Sequence, residues 1–480
     1  MQAIDKKIGD LSPSPRLASH SLQGTRYLGV LIFFLAMVGC ATDHYDARPI
    51  SIDEVSNKFA VKSLTTGDIR DCAIKRASDS SVDWPPKEWN LKSLTIAAFC
   101  SNTDIEAARL KLDTTTAAVT TATQRPNPVL QLPLQKTLNP ADGQSPWTLG
   151  FALDLPVQTA GKRDLRIAIA NVDVMAARLN VASVAWGVRS QLRSLLLMLW
   201  FSSERARLLQ KQVALDERLE RLIERRVANG YTSTLELNLQ RHLLAQAITN
   251  AVAALQEVGD AKLKIASLVG VRQTALEPIV IDVREFSTHS SLVLDDGVRK
   301  NALRNRGDVL SGLVEYEASQ AVLQLELVKQ YPDLNLGPGY TLDQGARKVG
   351  LTFSGLELPL FNRNQGAIAE ARARRFEAEM KVKKIVAKAF AEADLAMAAY
   401  DASRNKLSSA LTQSRLAQRR LAATRAFLLA GEDDQVTLAG MEKNEIESEL
   451  NLLDATLQMQ QAIGQIEDAM QLPTSELSAQ

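Results

Sequence analysis

Side chains suited to nucleophilic or metal chemistry are scarce in this chain: 480 residues include four His and three Cys. Beyond the first forty residues, His44, His242 and His289 stand apart, with no Ser or Cys beside them in a nucleophile motif. No glycine-rich phosphate loop, H-x-x-x-H or C-x-x-C occurs, and the nine Met form no cluster. Catalysis, a cofactor and tight metal ligation are not expected. A run of acids is the stronger signal. Glu432, Asp433 and Asp434 follow Gly431, and acids repeated around a ring attract and filter cations. The plainer reading is a solvated turn, with the acids favoured by the dipole of the helix that follows. A second turn reads Asn229-Gly230-Tyr231-Thr232-Ser233, a helix stop and then a cap for the next helix. Cys72 and Cys100 are available to pair in an oxidising compartment, but their spacing does not say whether they meet.

Charge narrows the partners. Lys plus Arg is 56 and Asp plus Glu is 55, which leaves no basic footprint for nucleic acid. The start of the chain is an address. Lys6, Lys7, Arg16 and Arg26 precede an apolar run from Leu28 to Gly39, too short for a bilayer span of about 20 residues and suited to a secretory signal. It ends Ala36-Met37-Val38-Gly39-Cys40, which resembles a bacterial lipobox with Met37 where Leu is usual. The resemblance implies that Cys40 is lipidated and becomes the mature N-terminus, and Ala41 after it favours the outer membrane over retention. An ordinary signal peptide with a chance Cys is the alternative.

The elements that position the two turns are marked out by proline. Residues 157–277 and 360–472 contain none, while six prolines fall between Pro126 and Pro156. Proline costs about 3 kcal/mol inside a helix, so the two gaps are where very long helices can exist. Val174, Val181, Val188 and Leu195 recur every seven residues, Ala185, Leu192 and Leu199 form a second row, and Leu208, Leu215, Leu219 and Leu222 continue it. A helix from about residue 160 to 229 would be roughly 100 Å long and needs neighbours along its whole length.

The proline-rich islands read as strands. In Trp147–Pro156, Trp147, Leu149, Phe151, Leu153 and Leu155 alternate with small or polar residues. Upstream, Leu130, Leu132 and Leu134 alternate similarly, and Asn139-Pro140-Ala141-Asp142-Gly143 is a hairpin loop. The pattern then repeats. Pro128 and Pro332 are 204 residues apart, Pro156 and Pro359 are 203 apart, Asp104 and Asp308 are 204 apart, and Gly230 and Gly431 are 201 apart. Internal duplication accounts for this. Each half is helix, strand, loop, strand, very long helix, glycine break, helix. The second half's closing strand is expected to include Leu351-Thr352-Phe353 and Leu356-Glu357-Leu358-Pro359, with a bulge at Gly355. Four strands cannot close a transmembrane barrel, and lipid tolerates no open sheet edge. Several copies must pool strands, and three copies give twelve.

This order of elements resembles the TolC-like outer-membrane efflux factors. The matching stretches are LTIAAFCSNTDIEAARLKL from Leu94, RPNPVLQL from Arg125 and LELPLFNRNQGAIAEA from Leu356, with Pro156–Arg163 as the first-half counterpart of the last. The PLFNRNQG run is similar to the heavy-metal branch, the outer-membrane partners of cobalt–zinc–cadmium and copper–silver pumps. The resemblance implies a mainly α fold with a small β part: a long periplasmic α-barrel below a 12-stranded β-barrel shared by three chains. It implies a homotrimer in the outer membrane, working as a passive duct with a periplasmic adaptor and an inner-membrane RND-type pump. It places Gly230, Tyr231, Thr232 and Gly431 at tips that meet the adaptor. The family's acidic gate residues lie further along, near Thr437 and Gly440 here, so Glu432, Asp433 and Asp434 are displaced candidates for the pore entrance. Drug or other small-molecule export, and a pore-free periplasmic coiled-coil lipoprotein, are the alternatives. The expected layout is a signal peptide at 1–39, a lipid-anchored extended arm at 40–93, a first repeat at 94–275, a linker at 276–295, a second repeat at 296–473 and a tail at 474–480.

Overall fold

The computed structural model describes residues 44–65, 67–76, 84–288, 296–353 and 357–473. Cys40, the signal segment, Gly355 and the C-terminal tail lie outside them. In chain order the elements are α1 (Ile52–Ala60), α2 (Gly67–Arg76), α3 (Leu91–Ser101), α4 (Thr103–Thr123), β1 (Val129–Gln131), β2 (Leu134–Lys136), β3 (Trp147–Val157), α5 (Lys162–Ala228), α6 (Thr234–Val269), α7 (Asp296–Asn305), α8 (Gly307–Val328), β4 (Leu334–Asp343), β5 (Ala346–Phe353), α9 (Gln365–Ala430) and α10 (Gln435–Met470). The chain divides at Lys58 into two units. The first, described from residue 44, is exposed throughout and holds most of α1, a helix with no buried residue. All that follows concerns the second.

Helices α5 and α6 occupy the first proline gap and α9 and α10 the second; α5 and α9 have 67 and 66 residues, or about 100 Å each at 1.5 Å per residue. Neither buries its apolar side in one central core. A series of clusters, the largest around Leu192 and Leu196 of α5, holds them along their length. Ala206 and Leu209 pack on Ala251 and Ala254 of α6. Leu215 and Leu219 pack on Ala439 and Ile446 of α10. Tyr400 and Leu407 of α9 pack on Met459, Ile463 and Ile466 of α10. The heptad rows of α5 face these neighbours: Val174, Val188, Leu192, Leu199, Leu208, Leu215 and Leu219 are buried, and Val181, Leu195 and Leu222 half-buried. A second row, in which small residues alternate with Tyr400, Leu407 and Leu421, runs down α9. Ala393, Tyr400, Leu407, Ser414 and Leu421 are buried at seven-residue spacing, beside Ala389, Ala396, Ser403 and Ala410.

The strands form one antiparallel sheet in the order β1–β3–β4–β5, with β2 also pairing β3. The first strand of the first half is thus broken in two. Pro133 sits in the break, without an amide hydrogen to donate, and its carbonyl accepts from Gly150 N at 3.1 Å. The sheet has two unlike faces. Leu149 pairs with Leu342, Phe151 with Tyr340, Leu155 with Leu336 and Val157 with Leu334, and Tyr340 in turn pairs with Val349. The rings of Phe151 and Tyr340 stack at 5.8 Å. Trp147, Leu149, Phe151, Leu155, Val157, Val349, Leu351 and Phe353 are exposed. The opposite face carries Thr148, Gly150, Ala152, Thr341, Asp343 and Lys348, with Thr148 Oγ1 donating to Asp343 at 2.7 Å. Gly337 is required in the middle of β4: a Cβ there would run into the Leu153 carbonyl oxygen. The expected closing strand ends earlier than the sequence suggested. β5 stops at Phe353, and Leu358 and Pro359 lie in a loop whose turn is closed by Leu360 N donating to the Leu358 carbonyl at 2.8 Å.

The segment expected to be an extended arm is folded. Within the second unit, Leu64, Ile69, Ala73, Trp84 and Trp89 are buried in one cluster with Leu94, Leu192, Leu196 and Val269. Trp84 Nε1 donates to the Leu64 carbonyl at 3.2 Å, and the Trp84 and Trp89 rings meet edge to face at 5.0 Å. Cys72 and Cys100 are bonded as a disulfide that ties α2 to α3. Weak periodicity hid this packing because so few residues, two of them Trp, supply the buried area. The link between the halves is irregular but pinned. Trp89 forms a bridge with Ile281, Phe286 is buried, and Gln460 Nε2 donates to the carbonyls of Phe286 and Thr288 at 3.2 and 2.9 Å.

Candidate functional site: the helical tips

Both long helices turn back at glycine. Gly230 has φ 73° and Gly431 has φ 74°, left-handed values at which a Cβ is disfavoured. At the first tip Gly230 N donates to the Val227 carbonyl at 3.0 Å and Tyr231 N to the Arg226 carbonyl at 2.8 Å, which closes the C-terminal turn of α5. Ser233 then caps α6 by accepting from Glu236 N at 3.3 Å, and Thr232 Oγ1 donates to the Glu236 carboxylate. The cap is therefore Ser233, not Thr232. Tyr231 is 82% exposed and Leu235 is exposed beside it.

At the second tip Gly431 N donates to the Leu428 carbonyl at 3.1 Å and Glu432 N to the Phe427 carbonyl at 2.9 Å. The three acids have different environments. Asp434 is the N-cap of α10: its Oδ1 accepts from Val436 N at 2.9 Å and Thr437 N at 2.7 Å. Its Oδ2 accepts from Arg226 Nη2 at 2.6 Å, so it also joins one tip to the other. The backbone amide of Thr437 and then the Arg226 guanidinium hold its carboxyl down at about 2. Asp433 Oδ1 accepts from Asp434 N at 2.9 Å, and Glu432 is exposed. The capping reading thus holds for Asp434, while Glu432 and Asp433 keep carboxylate oxygens for other partners.

Above the tip a ladder of ion pairs, unseen in the sequence, stitches α5 to α10. Arg226 meets Asp434, Arg218 meets Glu442 and Lys211 meets Glu449, the last at 3.6 Å. Asp216 is fully buried between them. Its Oδ1 accepts from Gln240 Nε2 at 3.2 Å and lies 3.4 Å from Lys443 Nζ. A buried carboxylate is stable only when paired in this way, so the α5–α6–α10 junction is specified by charge as well as by the Leu215 and Leu219 contacts. The signal was present in the sequence as mirrored spacings: Lys211, Arg218 and Arg226 on one helix, Asp434, Glu442 and Glu449 on the other. It becomes legible only once the two helices are known to run antiparallel in this register. Among the described residues no group of three or more His, Cys, Asp or Glu is placed to hold a metal ion.

Comparison with known proteins bears on what such tips belong to. The family model described as outer membrane efflux protein matches residues 96–271 and 298–470, once for each half. The chain is 26% identical over 280 residues to the cobalt-zinc-cadmium resistance protein CzcC of Cupriavidus metallidurans, covering 58% of this chain and 65% of CzcC, so less than two thirds of that relative is matched. It is 23% identical over 340 residues to the pyoverdine export outer membrane protein OpmQ of Pseudomonas aeruginosa, covering 67% of this chain and 71% of OpmQ. Its fold is similar to that of CusC, a protein solved in connection with transmembrane channel formation, with a TM-score of 0.65 at 16% identity over 82% of this chain and 95% of that one.

Proposed function

The chain belongs to the outer membrane efflux protein family, and on that premise we propose that it is the outer-membrane channel of a tripartite efflux system, exporting heavy-metal cations. One observation carries this reading: a sheet with an exposed apolar face, and with both edges unpaired among the described residues, is continuous with helices about 100 Å long. Nothing in a soluble scaffold requires such a sheet. Lipid accounts for the apolar face, and further copies account for the edges. Three chains pool their strands into a barrel, whose small and polar face lines the lumen. The helices continue the tube into the periplasm.

The duct is passive. The chain uses no cofactor and performs no catalysis. Energy comes from an inner-membrane RND-type pump, and a periplasmic adaptor joins that pump to the tips at Gly230, Tyr231, Thr232 and Gly431. Glu432 and Asp433 line the entrance and draw in cations without holding them, since a conduit must release what it admits. Cys40 carries the lipid anchor. The repeats run over 94–275 and 296–473, with the link at 276–295.

Cargo follows from the likeness to CzcC and from the PLFNRNQG run. Deletion of the gene should lower resistance to cobalt, zinc and cadmium several-fold, with restoration by the wild-type copy. Unchanged metal resistance together with sensitivity to organic compounds would assign the duct to small-molecule export.

A further inference from the structure

Resting on the channel reading above, we propose that the cleft between the end of α8 and the start of α9 binds an anionic phospholipid of the membrane leaflet facing the periplasm. Arg363 and Arg372 hold the lipid phosphate, and Leu360 and Phe361 lie along its acyl chains.

The cleft is a cavity of about 450 Å³, within the range of roughly 300–1,000 Å³ common for small-ligand sites. Its apolar lining is Leu327, Leu360, Phe361 and Ile368, and its charged lining is Arg363 and Arg372. Among the described residues that line it, none is acidic. Gln365, Ile368 and Arg372 stand at i, i+3 and i+7, so they share one face of α9. Side chains on a helix lean toward its N-terminus, so Arg372 reaches back toward the loop that carries Arg363.

Both guanidiniums keep donors to spare. Arg363 Nε donates to the Pro359 carbonyl at 3.3 Å, and Arg372 is exposed. The neighbouring acids are engaged elsewhere. Glu370 pairs with Arg374, and Glu326 pairs with Lys329 at 2.6 Å and accepts from Asn364 Nδ2 at 2.8 Å. From residue 363 to 375 the chain carries Arg363, Arg372, Arg374 and Arg375 against Glu370 alone.

The repeat shows that the fold itself does not need this chemistry. The first-half equivalents, 203 residues back, are Gln158 for Phe361, Ala160 for Arg363 and Ile169 for Arg372. That copy of the loop is tied down inside the chain: Thr159 N donates to Asp333 Oδ1 at 3.0 Å and Lys162 Nζ to the Tyr331 carbonyl at 2.6 Å. Both copies nonetheless start a long helix from a left-handed N-cap, Gly161 at φ 70° and Asn364 at φ 61°. The ring and the two cations of the second copy are therefore not what starts the helix.

The ligand follows from the position. The cleft opens where the exposed apolar face of the sheet ends. Val349, Leu351 and Phe353 of β5 are exposed, and Leu358, Leu360 and Phe361 continue the apolar surface beyond it, Phe361 at 96%. A membrane covering that face brings its headgroups to this level. An anionic phospholipid meets both parts of the cleft at once: guanidinium groups pair with phosphate in a bidentate fork, and the apolar residues cover the first methylenes of the chains. Free phosphate would satisfy the arginines alone.

Full-length protein, purified in mild detergent and stripped of lipid, tests the site by native mass spectrometry. Phosphatidylglycerol should bind the wild-type trimer roughly ten-fold more tightly than phosphatidylcholine or inorganic phosphate does. Arg363→Gln with Arg372→Gln should weaken that binding by roughly ten-fold, the loss expected for charge-assisted hydrogen bonds. Arg374→Gln with Lys383→Gln removes the same charge from ion pairs outside the cleft and should leave binding unchanged. In native membranes, a photo-crosslinking residue at Phe361 should carry phospholipid. Four results overturn the site and leave the channel reading standing: undiminished binding in the Arg363 and Arg372 double variant, an equal loss in the control, phosphatidylcholine or inorganic phosphate binding as tightly as phosphatidylglycerol, or Phe361 adducts only with another chain. The last would mean that a second copy covers the cleft. Protein that fractionates outside the outer membrane overturns the channel reading and the site with it.

Discussion

Asp434 caps a helix and pairs with a cation, and substitution separates the two roles. Asn caps about as well as Asp, so Asp434→Asn should lose only the Arg226 pair. Both partners are 40% or more exposed, which limits that loss to about 1 kcal/mol. Asp434→Ala loses the cap as well, a further ~1 kcal/mol. Amide hydrogen exchange at Val436 and Thr437 should therefore accelerate more in Asp434→Ala than in Asp434→Asn. The carboxyl is held at about 2, below its ordinary value of 3.8. Its contribution is complete above pH ~4 and is lost as pH falls toward 2, so acid should erase the difference between wild type and Asp434→Asn. Ion selectivity is the role proposed for its neighbours Glu432 and Asp433. Glu432→Gln with Asp433→Asn should reduce cation preference in planar bilayers, and added salt should weaken what remains. Unchanged selectivity would place those two acids outside the pore.

At the scale of elements, β4 depends on one missing side chain. Gly337→Ala would put a methyl into the Leu153 carbonyl, a backbone atom that cannot swing aside. The β3–β4 pairing joins the two halves of the sheet, so this variant should fail to assemble a heat-resistant oligomer in the outer membrane. Gly350→Ala is the control: a Cβ there meets nothing within 4 Å in the chain, and the oligomer should form at normal yield. Equal loss in both variants would mean that the sheet is sensitive to any added methyl. The long helices rest on a different principle. Their interfaces are rows of Ala and Leu repeated at seven-residue spacing, with ion pairs between, and beyond the large cluster around Leu192 and Leu196 the packing is shared among smaller ones.

At the scale of the molecule, two devices act on the membrane: the strands and the lipid proposed at Cys40. Cys40→Ala should abolish labelling by radioactive palmitate and slow processing of the precursor. Oligomers should still form, because the apolar sheet face is itself a membrane anchor. Labelling that persists in Cys40→Ala would remove the lipid from the account. The disulfide between Cys72 and Cys100 works at the same scale: it closes a separation of 28 residues, worth roughly 3–4 kcal/mol in chain-entropy terms, and so holds the buried Trp84 and Trp89 segment on the helices.

Much of this architecture is local in origin and could be read from the residues alone. Proline excludes itself from helices, so the gaps at 157–277 and 360–472 announced the α5–α6 and α9–α10 pairs to within a few residues of their outer ends. Left-handed turns favour glycine, so Gly230 and Gly431 announced the tips. Alternation announced β3, and repetition announced that there are two of everything. Contacts between distant residues were decided only in three dimensions. That Asp434 meets Arg226, that Asp216 is buried against Lys443, and that Leu64, Ile69, Ala73, Trp84 and Trp89 pack onto the helices instead of trailing beside them all depend on which faces the helices turn to one another. A seven-residue repeat states that a helix has a partner; register along that partner is set by packing and charge across the pair, and no stretch of either helix alone contains it.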